Sequence, residues 1–184
     1  MNLPNIITIV RILLVPFTVW LIIAEAYGFA FLSFVAAGVS DGLDGYIAKR
    51  YNQRTELGAY LDPLADKALL VSVYVTLGFL KVLPAWLAIL VVSRDVLIVG
   101  AFMLSWLMDR PVQIKPLMLS KINTAGQILF AVAVLGGLAM AIDLPVWRRT
   151  GMLAVALLTA ASGALYLREW VRHMANGNSG SGVA

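Results

Sequence analysis

The segment SDGLDGYIAKRYNQRTELGAYLDPLADK, from Ser40 to Lys67, interrupts a chain whose other segments are mostly apolar. It contains four aspartates, one glutamate and four basic residues, and long apolar runs precede and follow it. Such runs predict helices, so the segment holds the end of one helix, a basic loop around Arg50 to Glu56 and the beginning of the next helix. The two helices must run antiparallel, and the polar segment fixes where they meet.

The composition of the whole chain indicates an integral membrane protein. Of its 184 residues, 61% are hydrophobic and 13% are charged, and the mean hydropathy is +0.88, whereas soluble domains carry about 25% charged residues. The chain has no cysteine, which excludes a disulfide framework and a thiolate metal site. Its formal net charge of +4 favours anionic membrane lipids as partners. Because the charges are dispersed along the chain, they exclude a nucleic-acid patch.

Six apolar runs are each long enough to cross a bilayer, which takes roughly 20 residues. They cover residues 6–25, 28–49, 58–81, 83–108, 118–141 and 146–172. The predicted fold class is therefore all-α, a polytopic membrane protein with about six transmembrane helices. Lys and Arg are in excess in the connections after the second and fourth runs and at the C-terminal end, which predicts that both termini are cytoplasmic.

The aspartates of the polar segment form two pairs, each on one face of a helix. Asp41 and Asp44 are three residues apart on the first helix, and Asp62 and Asp66 are four apart on the second. Because the helices are antiparallel, Asp44 and Asp62 lie one or two turns from the loop, whereas Asp41 and Asp66 lie deeper, at similar depths. The four carboxylates can therefore converge in the cytoplasmic half of the membrane.

The beginning of the second helix has two interpretations. Asp62 and Pro63 are suited to be its N-cap and first residue, or Pro63 lies within a helix that begins nearer Thr55 and kinks it. Either alternative leaves Asp66 about one turn inside the helix.

Four clustered carboxylates in a low dielectric repel one another unless a cation neutralises them. An all-oxygen set suits Mg2+ or Mn2+ better than zinc, and four carboxylates leave room for two ions that bridge phosphate oxygens. Gly45 and Gly58 would let the backbone approach such a ligand, and Ala48 keeps the same wall shallow. The basic residues that would complement phosphate charge at the mouth are Lys49, Arg50 and Arg54. The segment thus predicts a metal-bound pyrophosphate at the membrane interface.

The same residues form the pattern Asp41-x2-Asp44-Gly45-x2-Ala48-Lys49-x8-Gly58-x3-Asp62-x3-Asp66. This pattern resembles the signature of the CDP-alcohol phosphotransferase family, membrane enzymes of phospholipid synthesis. All four aspartates and both glycines match at the family's spacing. The family usually has Arg at the position of Lys49, so a two-pronged phosphate contact becomes a point charge here, although Arg50 follows directly.

The resemblance implies a six-helix, usually dimeric protein that transfers a phosphatidyl group from CDP-diacylglycerol to an alcohol and releases CMP. It implies that Asp41, Asp44 and Asp62 hold two Mg2+ or Mn2+ ions, with Asp66 as a further ligand and the general base. The residues that it assigns to the nucleotide and diphosphate are Asp44, Gly45, Ala48, Lys49, Gly58 and Asp62.

Other polar residues bear on which alcohol is the acceptor. Arg94 and Asp95 lie in the middle of the fourth run, where they form either a structural ion pair or a phosphate site. Lys115 and Lys121, at the cytoplasmic entry of the fifth run, are either interfacial lysines or part of that site. The predicted acceptor-binding residues are Arg94, Lys115 and Lys121.

From Asn5 to about Leu135 the chain resembles the cardiolipin-forming members of the family more closely than those that form phosphatidylglycerophosphate. That resemblance implies phosphatidylglycerol as acceptor, with glycerol-3-phosphate as the alternative. Proton or cation transport is the alternative of another class, because transporters also bury carboxylates. Transporters spread them over repeat-related broken helices, however, whereas here they crowd one loop-proximal pair.

The first apolar run and the C-terminal end complete the predicted organisation. Ala24-Glu25-Ala26 resembles a signal-peptide cleavage site, but the first run lacks a basic leader and contains Arg11, so it is interpreted as a membrane helix. The last residues are polar and rich in glycine and serine. We expect a single transmembrane catalytic domain over residues 1–174, a disordered tail over 175–184 and, in a bacterium, an active site on the cytoplasmic face of the cytoplasmic membrane.

Overall fold

The computed structural model describes residues 3–51, 56–107, 118–142 and 145–176, with the side chains of residues 10–40, 67–101, 103–105, 107, 118–142 and 145–174. Within these ranges all regular secondary structure is helical. The helices are α1 (Leu3–Ile23), α2 (Tyr27–Tyr51), α3 (Glu56–Phe79), α4 (Ala85–Leu107), α5 (Met118–Ala139) and α6 (Pro145–Asn176). Each overlaps one predicted apolar run, and no bound differs from the prediction by more than four residues.

Three of the described helices have the length and composition of membrane spans. Three apolar stretches in the described residues are long enough to cross a bilayer, namely Ala85–Ser105, Met118–Ala139 and Pro145–Met174. Shorter apolar stretches cover Val10–Ile23, Tyr27–Ser40 and Lys67–Phe79. Large apolar side chains such as Phe29, Phe79 and Leu157 are exposed on the outside of the bundle, as expected for surfaces that contact lipid. The prediction of an all-α polytopic membrane protein is confirmed.

Two helix ends bear on the sequence predictions. The third helix begins at Glu56, so Pro63 lies within it, as in the second of the two interpretations. Asp66 is then ten residues, or nearly three turns, inside α3, so the expectation that it lies about one turn inside is wrong. The sixth helix includes Ala175 and Asn176, the first two residues of the predicted tail, whereas residues 177–184 lie outside the described part of the chain.

Consecutive helices pair as three antiparallel hairpins, α1–α2, α3–α4 and α5–α6, each closed by a short turn. Every turn contains one residue with a positive φ, namely Glu25 at 58°, Lys81 at 59° and Ala141 at 53°. The next residue donates a backbone hydrogen bond to a carbonyl five residues earlier: Ala26 to Leu21 (2.9 Å), Val82 to Leu77 (3.0 Å) and Ile142 to Gly137 (2.9 Å). This is the Schellman type of C-cap, and it recurs at one end of the bundle.

The core is centred on α3. Val73, Tyr74 and Leu77 are fully buried, because α3 packs against α1, α2, α4 and α5. The sixth helix packs against α4 and α5, and α5 also contacts α2. The carboxylate-bearing helices α2 and α3 therefore both contact α1 and α5, which hold them in place.

Buried hydrogen bonds join α3, α5 and α6. The Tyr74 hydroxyl donates to the Gln127 carbonyl oxygen at 3.0 Å, and Gln127 Nε2 donates to Thr159 Oγ1 at 3.0 Å. Thr159 Oγ1 in turn donates to Asn123 Oδ1 at 2.9 Å. Where lipid surrounds a bundle, apolar surface gives little preference for helix over lipid, so such bonds help to specify which helices pack together.

We expect Gly151→Ala to lower the thermal stability of the protein. A Cβ at Gly151 would lie 2.6 Å from Cε2 of the buried Phe130 ring, and a core overpacked in this way loses about 1–3 kcal/mol, more than the roughly 1 kcal/mol that alanine gains in helix propensity. Gly100→Ala is the matched control, because no atom lies within 4 Å of the added carbon. Thermal unfolding of both variants in detergent checks this; equal melting temperatures would contradict it.

Candidate active site

The signature aspartates lie near one end of the α2–α3 pair. Asp41 is ten residues before the end of α2, and Asp66 is ten residues after the beginning of α3, about 15 Å along each helix axis. Asp44 and Asp62 are seven and six residues from the same helix ends, or about 10 Å. The helix bounds therefore give the aspartates two shared depths. Their side chains lie outside the described part of the structure, so their convergence stays a prediction.

The other signature residues also belong to these two helices. Gly45, Ala48 and Lys49 are on α2 and Gly58 is on α3, and their side-chain surroundings are outside the described residues, as is Lys115 altogether. Among the described residues there is no group of three or more histidine, cysteine, aspartate or glutamate side chains that could hold a metal ion. The predicted metal ligands are thus all in segments whose side chains are not described.

The described part of the predicted site is a polar cluster between α3, α4, α5 and α6. It is centred on Arg94, and we call Lys67, Arg94, Asp95, Ser120 and Ser162 the Arg94 cluster. Arg94 Nη1 donates to Asp95 Oδ1 at 2.6 Å. Arg94 Nη2 donates to Ser162 Oγ at 3.0 Å and also to Ser120 Oγ. One guanidinium therefore connects α4 to both α5 and α6.

The cluster is buried at its centre and open at one side. Arg94 and Asp95 are 5% and 7% exposed, whereas the Lys67 side chain is 36% exposed and its Nζ lies 3.9 Å from Asp95 Oδ1. Gly163, which follows Ser162, lies beside the Arg94 stem, because a Cβ at Gly163 would be in ordinary van der Waals contact with Arg94 Cγ at 3.6 Å. The structural ion pair, one of the two interpretations of the sequence, is present.

The two described acceptor candidates lie near each other. Lys121 is exposed and directly follows Ser120, which accepts a hydrogen bond from Arg94. The structure thus brings Arg94 and the beginning of α5 together. It does not decide whether an acceptor uses them, so their assignment to acceptor binding stays a prediction.

Sequence reasoning missed three members of the Arg94 cluster and one further buried cation. Ser120 and Ser162 are 26 and 68 positions from Arg94, and Lys67 was visible only as the last residue of the polar segment. Arg11, only 1% exposed, is on α1, the helix that packs against both α2 and α3. The sequence signal for Arg11 was a charge inside an apolar run, and that charge served only as an argument against a signal peptide.

Residues 1–171 match the family model described as CDP-alcohol phosphatidyltransferase. The match includes the signature and residues of all six helices, so this chain is a member of the CDP-alcohol phosphatidyltransferase family. It is 36% identical over 148 residues to cardiolipin synthase (CMP-forming) of Homo sapiens, covering 72% of this chain and 49% of the relative. With the Rattus norvegicus protein of the same name it shares 32% identity over 181 residues, 90% of this chain and 60% of the relative.

A relative with a different name matches almost as well. The chloroplastic CDP-diacylglycerol–glycerol-3-phosphate 3-phosphatidyltransferase 1 of Oryza sativa subsp. japonica is 36% identical over 152 residues, 73% of this chain and 46% of the relative. The chain thus spans about half the length of the curated relatives it matches. The comparisons give no support to the transporter alternative.

Proposed function

We propose that the chain transfers a phosphatidyl group from CDP-diacylglycerol to an alcohol and releases CMP. The observation that carries the proposal is the set of four aspartates at one end of antiparallel α2 and α3, in a chain of the CDP-alcohol phosphatidyltransferase family. The complete signature, with both glycines at the family's spacing, supports the same activity.

The donor set fits a pair of hard divalent cations. Its ligands are carboxylate oxygens alone, and the helix bounds give Asp41 and Asp66 one depth and Asp44 and Asp62 another. In the proposal these four residues hold two Mg2+ or Mn2+ ions. When bound, such ions neutralise the diphosphate and stabilise the negative charge on the departing CMP.

The chain's own residues bind the substrate and move one proton. Asp66 accepts the proton of the acceptor hydroxyl, whose oxygen forms a bond to the phosphorus that carries diacylglycerol. The bond between that phosphorus and the bridging oxygen breaks, and CMP leaves with the electron pair. The residues proposed to line the cytidine and diphosphate are Asp44, Gly45, Ala48, Lys49, Gly58 and Asp62.

Phosphatidylglycerol is the proposed acceptor, and cardiolipin is then the product. The names of the human and rat relatives support this choice, whereas the name of the rice relative keeps glycerol-3-phosphate as the second candidate. The residues proposed to bind the acceptor's phosphate are Arg94, Lys115 and Lys121, and Arg94 is the one whose surroundings are described.

The proposal includes a setting in the membrane. The excess of Lys and Arg in the connections after α2 and α4 supports cytoplasmic termini and a cytoplasmic active site. The proposed partners are membrane lipids and a second copy of the chain in a homodimer, and nucleic acid is not among them. The proposed catalytic domain covers residues 1–174.

Product analysis tests the activity. Purified protein receives CDP-diacylglycerol and Mg2+ or Mn2+, with phosphatidylglycerol or glycerol-3-phosphate in separate reactions, and both CMP and the lipid product are measured. We expect metal-dependent CMP release that EDTA abolishes, with cardiolipin formed from phosphatidylglycerol. Phosphatidylglycerophosphate from the second reaction alone would keep the mechanism and change the acceptor. No metal-dependent CMP release with either acceptor would contradict the proposal.

We expect Asp44→Ala to weaken CDP-diacylglycerol binding as well as turnover. Asp44 is proposed to contact both a metal ion and the nucleotide, so its loss removes a ligand that substrate binding needs; we expect affinity to fall about 10- to 100-fold. Metal-dependent binding of CDP-diacylglycerol to the variant checks this. Binding as tight as that of the unmodified protein would contradict metal ligation by Asp44.

A further inference from the structure

Lys67 is the partly exposed cation of the Arg94 cluster, and its ammonium has donors to spare. Its Nζ lies 3.9 Å from Asp95 Oδ1, beyond the roughly 2.7–3.2 Å of a hydrogen bond, so the two groups attract each other by charge alone. An ammonium group has three N–H donors. By contrast, both Nη atoms of Arg94 already donate to protein oxygens, and its Nε, which has no partner in the described part of the chain, is buried.

The charge around Lys67 favours an anion. Among the described residues, Lys67, Arg94 and Lys121 contribute three positive charges in or beside the Arg94 cluster, and Asp95 contributes one negative charge. Lys67 is eleven residues inside α3, and a lysine at this depth that is 36% exposed faces a polar space at lower cost than lipid. A phosphate group bound there would neutralise the surplus charge.

The direction of Lys67 separates it from the nucleotide end of the site. It directly follows Asp66, the proposed general base, but its ammonium lies against Asp95 of α4. The residues proposed for cytidine and diphosphate belong to α2 and to the first turns of α3. The two described groups proposed for the acceptor, Arg94 and Lys121, belong to α4 and α5. Lys67 therefore lies where the base and the acceptor side meet.

We propose that Lys67 binds the phosphate group of the acceptor alcohol, and that Asp95 positions the Lys67 ammonium for that contact. The inference rests on the proposed phosphatidyl transfer. It gives Arg94 a second role, which is to hold the Asp95 carboxylate in place through the 2.6 Å hydrogen bond from Arg94 Nη1 to Asp95 Oδ1. The recognised chemistry is a phosphate monoester or diester on the glycerol that carries the reacting hydroxyl, as in both glycerol-3-phosphate and phosphatidylglycerol.

Initial-rate kinetics of Lys67→Gln test the inference in the full chain. We expect the KM for the acceptor to rise about 10- to 100-fold, as for the loss of a charge-assisted hydrogen bond, with kcat and the KM for CDP-diacylglycerol within about threefold of their original values. Lys67→Arg should restore most of the acceptor affinity. Lys81→Gln is the matched control, because it removes the same charge from an exposed residue in the α3–α4 turn at the other end of α3.

The outcomes are distinct. Active unmodified protein together with an unchanged acceptor KM in Lys67→Gln would overturn the inference and leave the proposed function intact. A lower melting temperature without a change in acceptor KM would make Lys67 a structural ion-pair residue only. Unmodified protein that releases no CMP would refute the proposed function itself.

Labelling of the unmodified protein decides the matter if Lys67→Gln does not fold. Lysines are acetylated in the presence of metal with and without glycerol-3-phosphate, or with and without short-chain phosphatidylglycerol, and quantified by mass spectrometry. We expect the productive acceptor to protect Lys67 but not Lys81. Equal modification of Lys67 in all conditions would overturn the inference.

Discussion

Asp66→Asn is expected to reduce turnover by about 10²- to 10⁴-fold, the range for loss of a positioned general base. Asparagine has the same shape as aspartate but cannot accept the proton of the acceptor hydroxyl. Asp41, Asp44 and Asp62 remain to hold metal and diphosphate, so metal-dependent binding of CDP-diacylglycerol should persist. Steady-state kinetics and equilibrium binding on the same preparation check both halves of the prediction.

A matched control separates loss of a base from loss of charge. Glu25→Gln makes the same acid-to-amide change at an exposed residue in the α1–α2 turn, at the opposite end of the bundle from the aspartates. Its activity should equal that of the unmodified protein. Comparable activity in Asp66→Asn would refute the general-base assignment, and loss of CDP-diacylglycerol binding would make Asp66 chiefly a metal ligand.

Asp95→Ala is expected to lower stability by about 3–5 kcal/mol, as when one partner of a buried ion pair is removed. Arg94 is 5% exposed, and Asp95 is the carboxylate that the described residues offer it. Without Asp95 the guanidinium keeps only the Ser120 and Ser162 hydroxyls as partners in the cluster. Thermal unfolding followed by tryptophan fluorescence in detergent measures the change.

The reverse truncation should cost less. In Arg94→Met the Asp95 carboxylate still has Lys67 Nζ, which is 3.9 Å away and needs only a small shift to neutralise it. Replacing both partners, as in Arg94→Met with Asp95→Leu, should recover much of the loss because no charge is then buried alone. Equal melting temperatures for Asp95→Ala and the unmodified protein would refute a stabilising role for this pair.

The sequence was sufficient to predict the six helices, because each apolar run is long and is bounded by polar residues or turns. Their ends were less certain: Pro63 was compatible with a helix start or a helix interior, and the structure places it inside α3. Local spacing predicts which face a residue occupies, but not which distant residue it meets. The bonds from Arg94 to Ser120 and Ser162 depend on how α4, α5 and α6 pack, so they were beyond the reach of spacing.

For the candidate site, too, the sequence predicts local spacing but not contacts between distant residues. The pairing of Asp41 with Asp44 and of Asp62 with Asp66 follows from helical periodicity alone, and the family match fits that pattern. The ion pair between Lys67 and Asp95 joins α3 to α4 within one hairpin. The residues next to Lys67 and Asp95 in the sequence do not reveal this contact, because it depends on how α3 and α4 cross.

The three capped turns have a consequence for how the protein is made. Each hairpin carries only a few turn residues across the bilayer, so α1–α2, α3–α4 and α5–α6 can each enter the membrane as a unit. The aspartates are divided between two of these units, since Asp41 and Asp44 belong to the first and Asp62 and Asp66 to the second. Neither hairpin contains all four proposed metal ligands, so the proposed catalytic centre forms only when the two newly inserted hairpins dock.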